Sequence, residues 1–328
     1  MTEQLVFAME VALNGLMAGV MYSLVALGFV LIFKASGIFN YAQGVMALFA
    51  AMTLVGIQQG QVPFAHLINE IFGTQLHYFG WIVPSFLAII LTVGVMIVFA
   101  LLVQKFIFKH LVGQEPIILF MATIGLAYFL EGVSDLMWGS EIRRLDIGLP
   151  QGITEIIDET TYEWFGYGFF IDKLDIVAAI VAAVLVGALV MFAQYTKQGR
   201  AMRAVADDHQ AALSVGISLN YVWILVWSLA GFVALVAGIM WGAKSGVQFS
   251  LSLIALKALP VLMLGGFTSI PGAIVGGLII GVGEALFEFS VGPLIGGATE
   301  NWFAYVLALL FLVFRPQGLF GEKIIERV

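Results

Sequence analysis

The chain has 328 residues, 61% hydrophobic and 11% charged, with 14 Lys and Arg against 21 Asp and Glu for a net charge of −7. Soluble domains carry about a quarter charged residues, so this composition excludes an ordinary water-soluble fold and points to a bilayer. The absence of cysteine excludes disulfides, thiolate metal sites and cysteine nucleophiles, and the absence of a basic run argues against a nucleic-acid partner.

Met1-Thr2-Glu3-Gln4 lacks the positive n-region of a cleaved signal peptide, so the first apolar stretch reads as a retained span. Apolar stretches follow at about 11–33, 39–57, 81–103, 117–138, 174–194, 221–243, 249–266, 272–290 and 302–314. The last is short, and Ser250, Ser252, Lys257 and Pro260 interrupt the seventh. The expected fold is an all-α polytopic membrane protein of eight or nine transmembrane helices, forming a single membrane domain over residues 1–328.

Basic residues set the expected orientation, because Lys and Arg favour the cytoplasmic side. With the 195–220 loop cytoplasmic, that side holds Lys34, Lys105, Lys109, Lys197, Arg200, Arg203, Arg315, Lys323 and Arg327. The other side holds Arg143, Arg144, Lys173 and Lys244. Nine against four places the N-terminus outside and the C-terminus in the cytoplasm. Two long outer loops result: 58–80, without Lys or Arg, and 139–173, rich in acidic residues.

In the 195–220 loop, Asp207 and Gln210 have capping-box spacing, so a short helix is expected to begin there, and Gly216 is placed to end it. The segment carrying Arg200 and Arg203 before it is helix-compatible. A pair of short cytoplasmic helices is expected, either as an interfacial anchor or as a docking knob for a partner.

Gly15-x-x-x-Gly19, Gly272-x-x-x-Gly276 and Gly277-x-x-x-Gly281 allow close helix approach, within this chain or against another subunit. Gly265-Gly266 and Pro271-Gly272 are expected to break a helix, at a tight turn or beside a water-filled pathway. The ionisable residues of the apolar segments are Glu131, Asp135, Lys257, Glu284 and Glu288. Each costs about 2–3 kcal/mol in hydrocarbon unless paired or hydrated. Lys257 and Glu284 sit deepest and are expected to pair, as a register lock rather than a proton relay.

No P-loop and no H-E-x-x-H is present. His66, His77, His110 and His209 are scattered, no metal site is expected, and no catalytic triad is signalled. The residues alone leave open a secondary carrier or channel, which would depend on the intramembrane charges.

Four ordered blocks resemble the LivH/LivM-type branched-chain amino acid permeases of ABC importers, closer to the LivH half. They are 26–33 followed by 37–44, which includes Asn40-Tyr41-Ala42-Gln43-Gly44; Gln210-Ala211-Ala212-x-x-x-Gly216, similar to the EAA---G coupling loop; 264–273; and Arg315-Pro316-Gln317-Gly318-Leu319-Phe320-Gly321. Permeases for urea and short amides share this pattern. The resemblance implies an ATP-driven importer subunit of the bacterial inner membrane, without an ATPase site or cofactor of its own. It implies a second, LivM-like permease subunit, two ABC ATPase subunits that use the ATP, and a periplasmic substrate-binding protein, all in membrane lipid. It assigns ATPase coupling to Arg200, Arg203, Asp207, Gln210, Ala211, Ala212 and Gly216. Asn40, Gln43 and Gly44 of the first block, and Gly265, Gly266, Pro271 and Gly272 of the third, are the candidate pathway or helix-break residues. Arg143 and Arg144, basic residues in an acidic outer loop, read either as a solvated pair or as receivers of the binding protein's carboxylates.

Overall fold

The computed structural model describes residues 2–75, 77–156 and 169–321. Asp158, Glu159, Glu163, Lys323 and Arg327 lie outside the described residues. In chain order the helices are α1 (Thr2–Ser36), α2 (Gln43–Gln58), α3 (Ala65–Phe72), α4 (Ser85–Phe106), α5 (Pro116–Trp138), α6 (Lys173–Tyr195), α7 (Lys197–Asp207), α8 (His209–Ser214), α9 (Leu219–Ser245), α10 (Ile254–Gly265), α11 (Ile270–Ser290), the single turn α12 (Gly292–Ile295) and α13 (Phe303–Phe314). Short 3₁₀ turns lie at Phe108–His110, Phe249–Leu253 and Thr299–Asn301.

Six of these segments among the described residues are long and apolar enough to cross a membrane, from the 21-residue Ile270–Ser290 to the 31-residue Val6–Ser36. Three shorter apolar helical segments, Gln43–Gln58, Phe249–Gly265 and Phe303–Phe314, fall on the remaining expected stretches. The 139–173 segment, expected as an outer loop, contains a short hairpin. There β1 (Ile153–Ile156) pairs antiparallel with β2 (Phe169–Asp172), Ile153 opposite Asp172. Four-residue strands rich in Ile and Phe suit a ladder, but they are too short for a periodicity to be read from the sequence. The 58–80 loop likewise contains a helix, α3.

The chain divides into two compact units: residues 1–30, 148–188 and 256–328 in one, and 31–147 and 189–255 in the other. In the second, α2 is the central element and packs against α4, α5 and α9. Gln43 through Gly56 are all buried, as expected for a helix apolar all round. Sixteen residues span about 24 Å, less than the roughly 30 Å of a hydrocarbon core. Small residues let its neighbours close in: a Cβ on Gly44 would stand 2.2 Å from the Ser252 carbonyl oxygen, and one on Gly238 would stand 2.5 Å from that of Ala47. The Trp138 ring fills the space over Gly56 and donates its Nε1–H to Thr53 Oγ1 at 3.2 Å. Phe108 stacks on Trp227 with ring centres 4.8 Å apart.

In the first unit, two glycine seams join three helices. The Gly15/Gly19 face of α1 meets the Gly277/Gly281 face of α11, and Gly272 and Gly276 of α11 meet Val261 and Gly265 of α10. Ser23 adds its hydroxyl to the first seam, 2.8 Å from the Gly19 carbonyl oxygen and 3.2 Å from that of Ala273. The three GxxxG motifs therefore make contacts inside this chain.

Candidate functional site

Residues 37–42, between α1 and α2, are not helical, yet Ile38, Asn40 and Ala42 are buried. Buried irregular backbone needs partners, and the side chains supply them. Asn40 Oδ1 accepts from the Ala42 N–H at 3.2 Å, and its Nδ2 lies 3.3 Å from Gln43 Oε1. Gln43 Nε2 donates to the Ala230 carbonyl of α9 at 3.4 Å. Thr123 of α5 accepts from the Tyr41 N–H at 3.1 Å, and its hydroxyl lies 2.8 Å from the Phe120 carbonyl oxygen. Phe120 also packs against the rings of Phe39 and Tyr41. The structure thus brings Asn40, Gln43 and Gly44 to one polar break, held between α5, α9 and the Phe249–Leu253 turn. Thr123 and the Ala230 carbonyl are parts the sequence did not signal, since each is an ordinary helix residue until the fold places it.

The second break lies between α10 and α11. Gly266 adopts a left-handed φ of 102°, which favours glycine. Ser269 caps α11 by accepting from the Gly272 N–H at 3.0 Å. The break is therefore at 266–269. Pro271 and Gly272 sit inside the first turn of α11, where proline's missing N–H is harmless, so they do not break the helix. The terminal carbonyls of α10 are taken by the tail: the Leu319 N–H donates to Leu264 at 2.8 Å and the Phe320 N–H to Gly265 at 3.1 Å. The sequence blocks 264–273 and 315–321 are thus hydrogen-bonded to each other.

Lys257 Nζ lies 2.7 Å from Glu284 Oε1. Lys257 also approaches the Glu300 carbonyl oxygen at 3.3 Å and the Tyr22 hydroxyl at 3.5 Å. The carboxylate is buried and the lysine partly open, with 5% and 30% of their side-chain surfaces exposed. Glu288, one turn on, accepts from the Thr299 N–H at 2.7 Å and from the Thr299 hydroxyl. Tyr22 and Glu300 were not legible as partners.

The loop between α6 and α9 holds two helices. Thr196 caps α7 by accepting from the Gly199 N–H at 2.9 Å. Gly199, Met202 and Val205 are buried, while Arg200 and Arg203 are exposed. The cap of α8 is Asp208, not Asp207 as the capping-box spacing suggested: its Oδ1 accepts from Gln210 at 2.7 Å and Ala211 at 3.0 Å. Asp207 instead ends α7. Gly216 has φ 84°. The Gly216 N–H donates to Leu213 and the Ile217 N–H to Ala212, both at 3.0 Å, the two bonds of a Schellman stop. Ala212 points inward, and Gln210, Ala211, Leu213 and Val215 are exposed. A knob capped at both helix starts, with exposed apolar, basic and acidic residues, can transmit force if something grips it.

Arg143 is not a free receptor for carboxylates, which corrects the expectation for it. Both terminal nitrogens of its guanidinium are engaged, with Gln61 Oε1 and the Trp138 carbonyl, and its backbone pairs with Val247 at 3.0 and 2.8 Å. Burial lowers its pKa from the usual arginine value, with Tyr78 and Glu141 opposing the shift. Arg144 is exposed. Arg143 walls a cavity of about 540 Å³ that Glu70, Asp135, Glu141, His66 and His77 also line. The two histidine rings lie 6.4 Å apart, closer than their scatter in sequence implied.

Residues 11–315 match the family described as branched-chain amino acid transport system / permease component. The high-affinity branched-chain amino acid transport system permease protein LivH of Escherichia coli K12 is 26% identical, with all of both chains covered. The permease protein BraD of Pseudomonas aeruginosa is 27% identical over 96% of each chain. The probable branched-chain amino acid transport permease protein LivH of Methanocaldococcus jannaschii is 26% identical over 91% of this chain and 88% of its own. The match runs through both glycine seams, both helix breaks and the α7–α8 loop. The chain belongs to the family of permease components of branched-chain amino acid transport systems.

Proposed function

We propose that this chain is the membrane-spanning permease subunit of an ATP-driven ABC importer for branched-chain or similar amino acids in the inner membrane. The observation that carries the reading is the α7–α8 knob: two capped helices, stopped at Gly216, with Arg200 and Arg203 outward. In this reading two ABC ATPase subunits bind the cytoplasmic face and one of them grips the knob, with Gln210 and Ala211 outward at its tip, Ala212 packing it from within and Asp207 at the junction of its two helices. ATP binding then rocks the membrane helices as rigid bodies. A second, LivM-like permease completes the pathway, and a periplasmic binding protein delivers substrate, with Arg144 its candidate contact. Asn40, Gln43 and Gly44, and the 266–269 turn flanked by Gly265, Pro271 and Gly272, are the candidate pathway breaks.

Residues 1–328 form one permease domain in this reading, with the coupling loop at about 195–220 and the outer loop at about 139–173. Nine crossings, with the N-terminus outside and the C-terminus in the cytoplasm, fit the basic-residue count. Two contacts are compatible with it: the tail meets the α10–α11 turn, and Arg143 pairs with Val247. In each case both partners fall on the same side.

The test is uptake by vesicles holding the purified assembly, with leucine, isoleucine, valine, urea and short amides compared under ATP. Uptake of the three amino acids supports the reading. Uptake of urea or amides alone moves the substrate class, and uptake without ATP overturns the importer.

A further inference from the structure

The segment 58–83 is closed on itself at its base. The Val62 N–H donates to His77 at 3.1 Å, the Phe79 N–H to Gly60 at 2.8 Å and the Val83 N–H to Gln58 at 3.0 Å. α3 lies at its tip, with left-handed backbone at both ends, φ 58° at Phe64 and 63° at Gly73. A phenylalanine in that region is uncommon and strained, so the sharp turn into α3 is held by its surroundings, including the Phe64 N–H bond to Met137 at 3.1 Å.

α3 is two-faced. Leu67, Ile68, Ile71 and Phe72 share one side by helical spacing, and His66, Asn69 and Glu70 share the other. The polar side contributes His66 and Glu70 to the cavity beside Arg143. On the apolar side Leu67 also borders the cavity and Ile68 is half-buried, but its outer end is uncovered, with Ile71 64% and Phe72 73% exposed; in the following strap Trp81 is 69% and Ile82 82% exposed.

We infer that α3 and residues 78–82 form an interfacial anchor, a short helix with an aromatic strap seated among the lipid headgroups and upper acyl chains where α4 enters the bilayer. Residues 81–82 lead directly into α4, where Phe86, Leu87, Ile90 and Leu91 are also exposed. That face is built of large aliphatic and aromatic side chains. Helix–helix contacts in membranes favour small residues, as the two glycine seams of this chain do, so the α4 face suits lipid better than a second protein. Tyr78 and Trp81 are the residue types enriched at the membrane–water interface. The segment 58–83 has no Lys or Arg, so its attachment owes nothing to anionic lipid and rests on buried apolar area. With one edge in lipid and the other forming the cavity wall, α3 would hold that cavity at a fixed depth.

The absence of cysteine makes the test direct. Single spin labels are placed at I71C, F72C, I82C and E70C in the full chain within its assembly, reconstituted in phosphatidylcholine nanodiscs. The signal of the unsubstituted assembly is subtracted. Collision with oxygen, which partitions into lipid, is compared with collision with a water-soluble nickel chelate. The anchor predicts oxygen exceeding the chelate severalfold at 71, 72 and 82, and the reverse at 70. Chelate access at 71, 72 and 82 means those side chains stand in water and overturns it. Low access to both reagents, whether constant or induced by adding the binding protein, means a protein covers the surface and also overturns it.

Discussion

Gly19 and Gly277 meet backbone to backbone: a Cβ at position 19 would stand 2.3 Å from the Gly277 carbonyl oxygen. The contact is reciprocal one turn away, where a Cβ on Gly281 would stand 2.2 Å from the carbonyl oxygen of Gly15. Apolar area alone gives little reason for helices to associate in lipid, so close packing of this kind holds the first unit together.

G19A and G281A are therefore expected to lower stability by about 1–3 kcal/mol each, the usual cost of overpacking. Gly94 and Gly125 are also helical, but nothing lies within 4 Å of a Cβ at either position. G94A and G125A should gain up to about 1 kcal/mol from helix propensity. Thermal midpoints in detergent separate the pairs, and equal effects at all four sites would contradict the seam.

Removing one partner of the Lys257–Glu284 pair strands the other. E284Q and K257M are each expected to cost on the order of 1–3 kcal/mol, below the 3–5 of a fully buried pair because Lys257 is partly open. The double variant K257M/E284M should recover most of the loss. If instead E284Q is as stable as the parent but transport loses its pH dependence, the pair serves proton movement and not helix register.

D208A removes the acceptor of two backbone N–H groups and should cost α8 about 1 kcal/mol, whereas D207A leaves the cap in place. ATPase stimulation by loaded binding protein should fall severalfold for D208A and stay near the parent for D207A. Stronger loss in D207A would mean that Asp207 is gripped directly by the partner.

R143K keeps the charge but replaces the planar fork, whose two terminal nitrogens reach Gln61 and the Trp138 carbonyl separately, with a single nitrogen on a flexible stem, so the loop near residue 143 should become more sensitive to protease. R144A should leave the loop intact and weaken binding-protein affinity if Arg144 is a contact. Unchanged affinity would remove that role.

Much of this was legible because hydrophobic runs, glycine spacing and opposite charges act through local chemistry. The apolar stretches, the stop at Gly216 and the proximity of Lys257 to Glu284 follow from it. The seam partners were not legible, because Gly19 and Gly277 are joined only by the fold and any small-residue face could have met either. The one-residue shift from Asp207 to Asp208 arises because α7 runs one residue further than the capping pattern allowed. Arg143 read as a receptor because its consumption by Gln61 and Trp138 depends on a loop crossing that no local pattern encodes. The Asn40–Gln43 network needed Thr123 and the Ala230 carbonyl, which carry no signal of their own.

The most direct test of the account is to reverse the charges in the knob, with R200E/R203E, and measure both co-purification of P-loop ATPases with this chain and ATP-dependent uptake of leucine. The account predicts that the parent brings the ATPases down and drives uptake, and that the variant, still folded in the membrane, loses both. Uptake that persists in the variant, or that proceeds in the parent without ATP or ATPases, would contradict it.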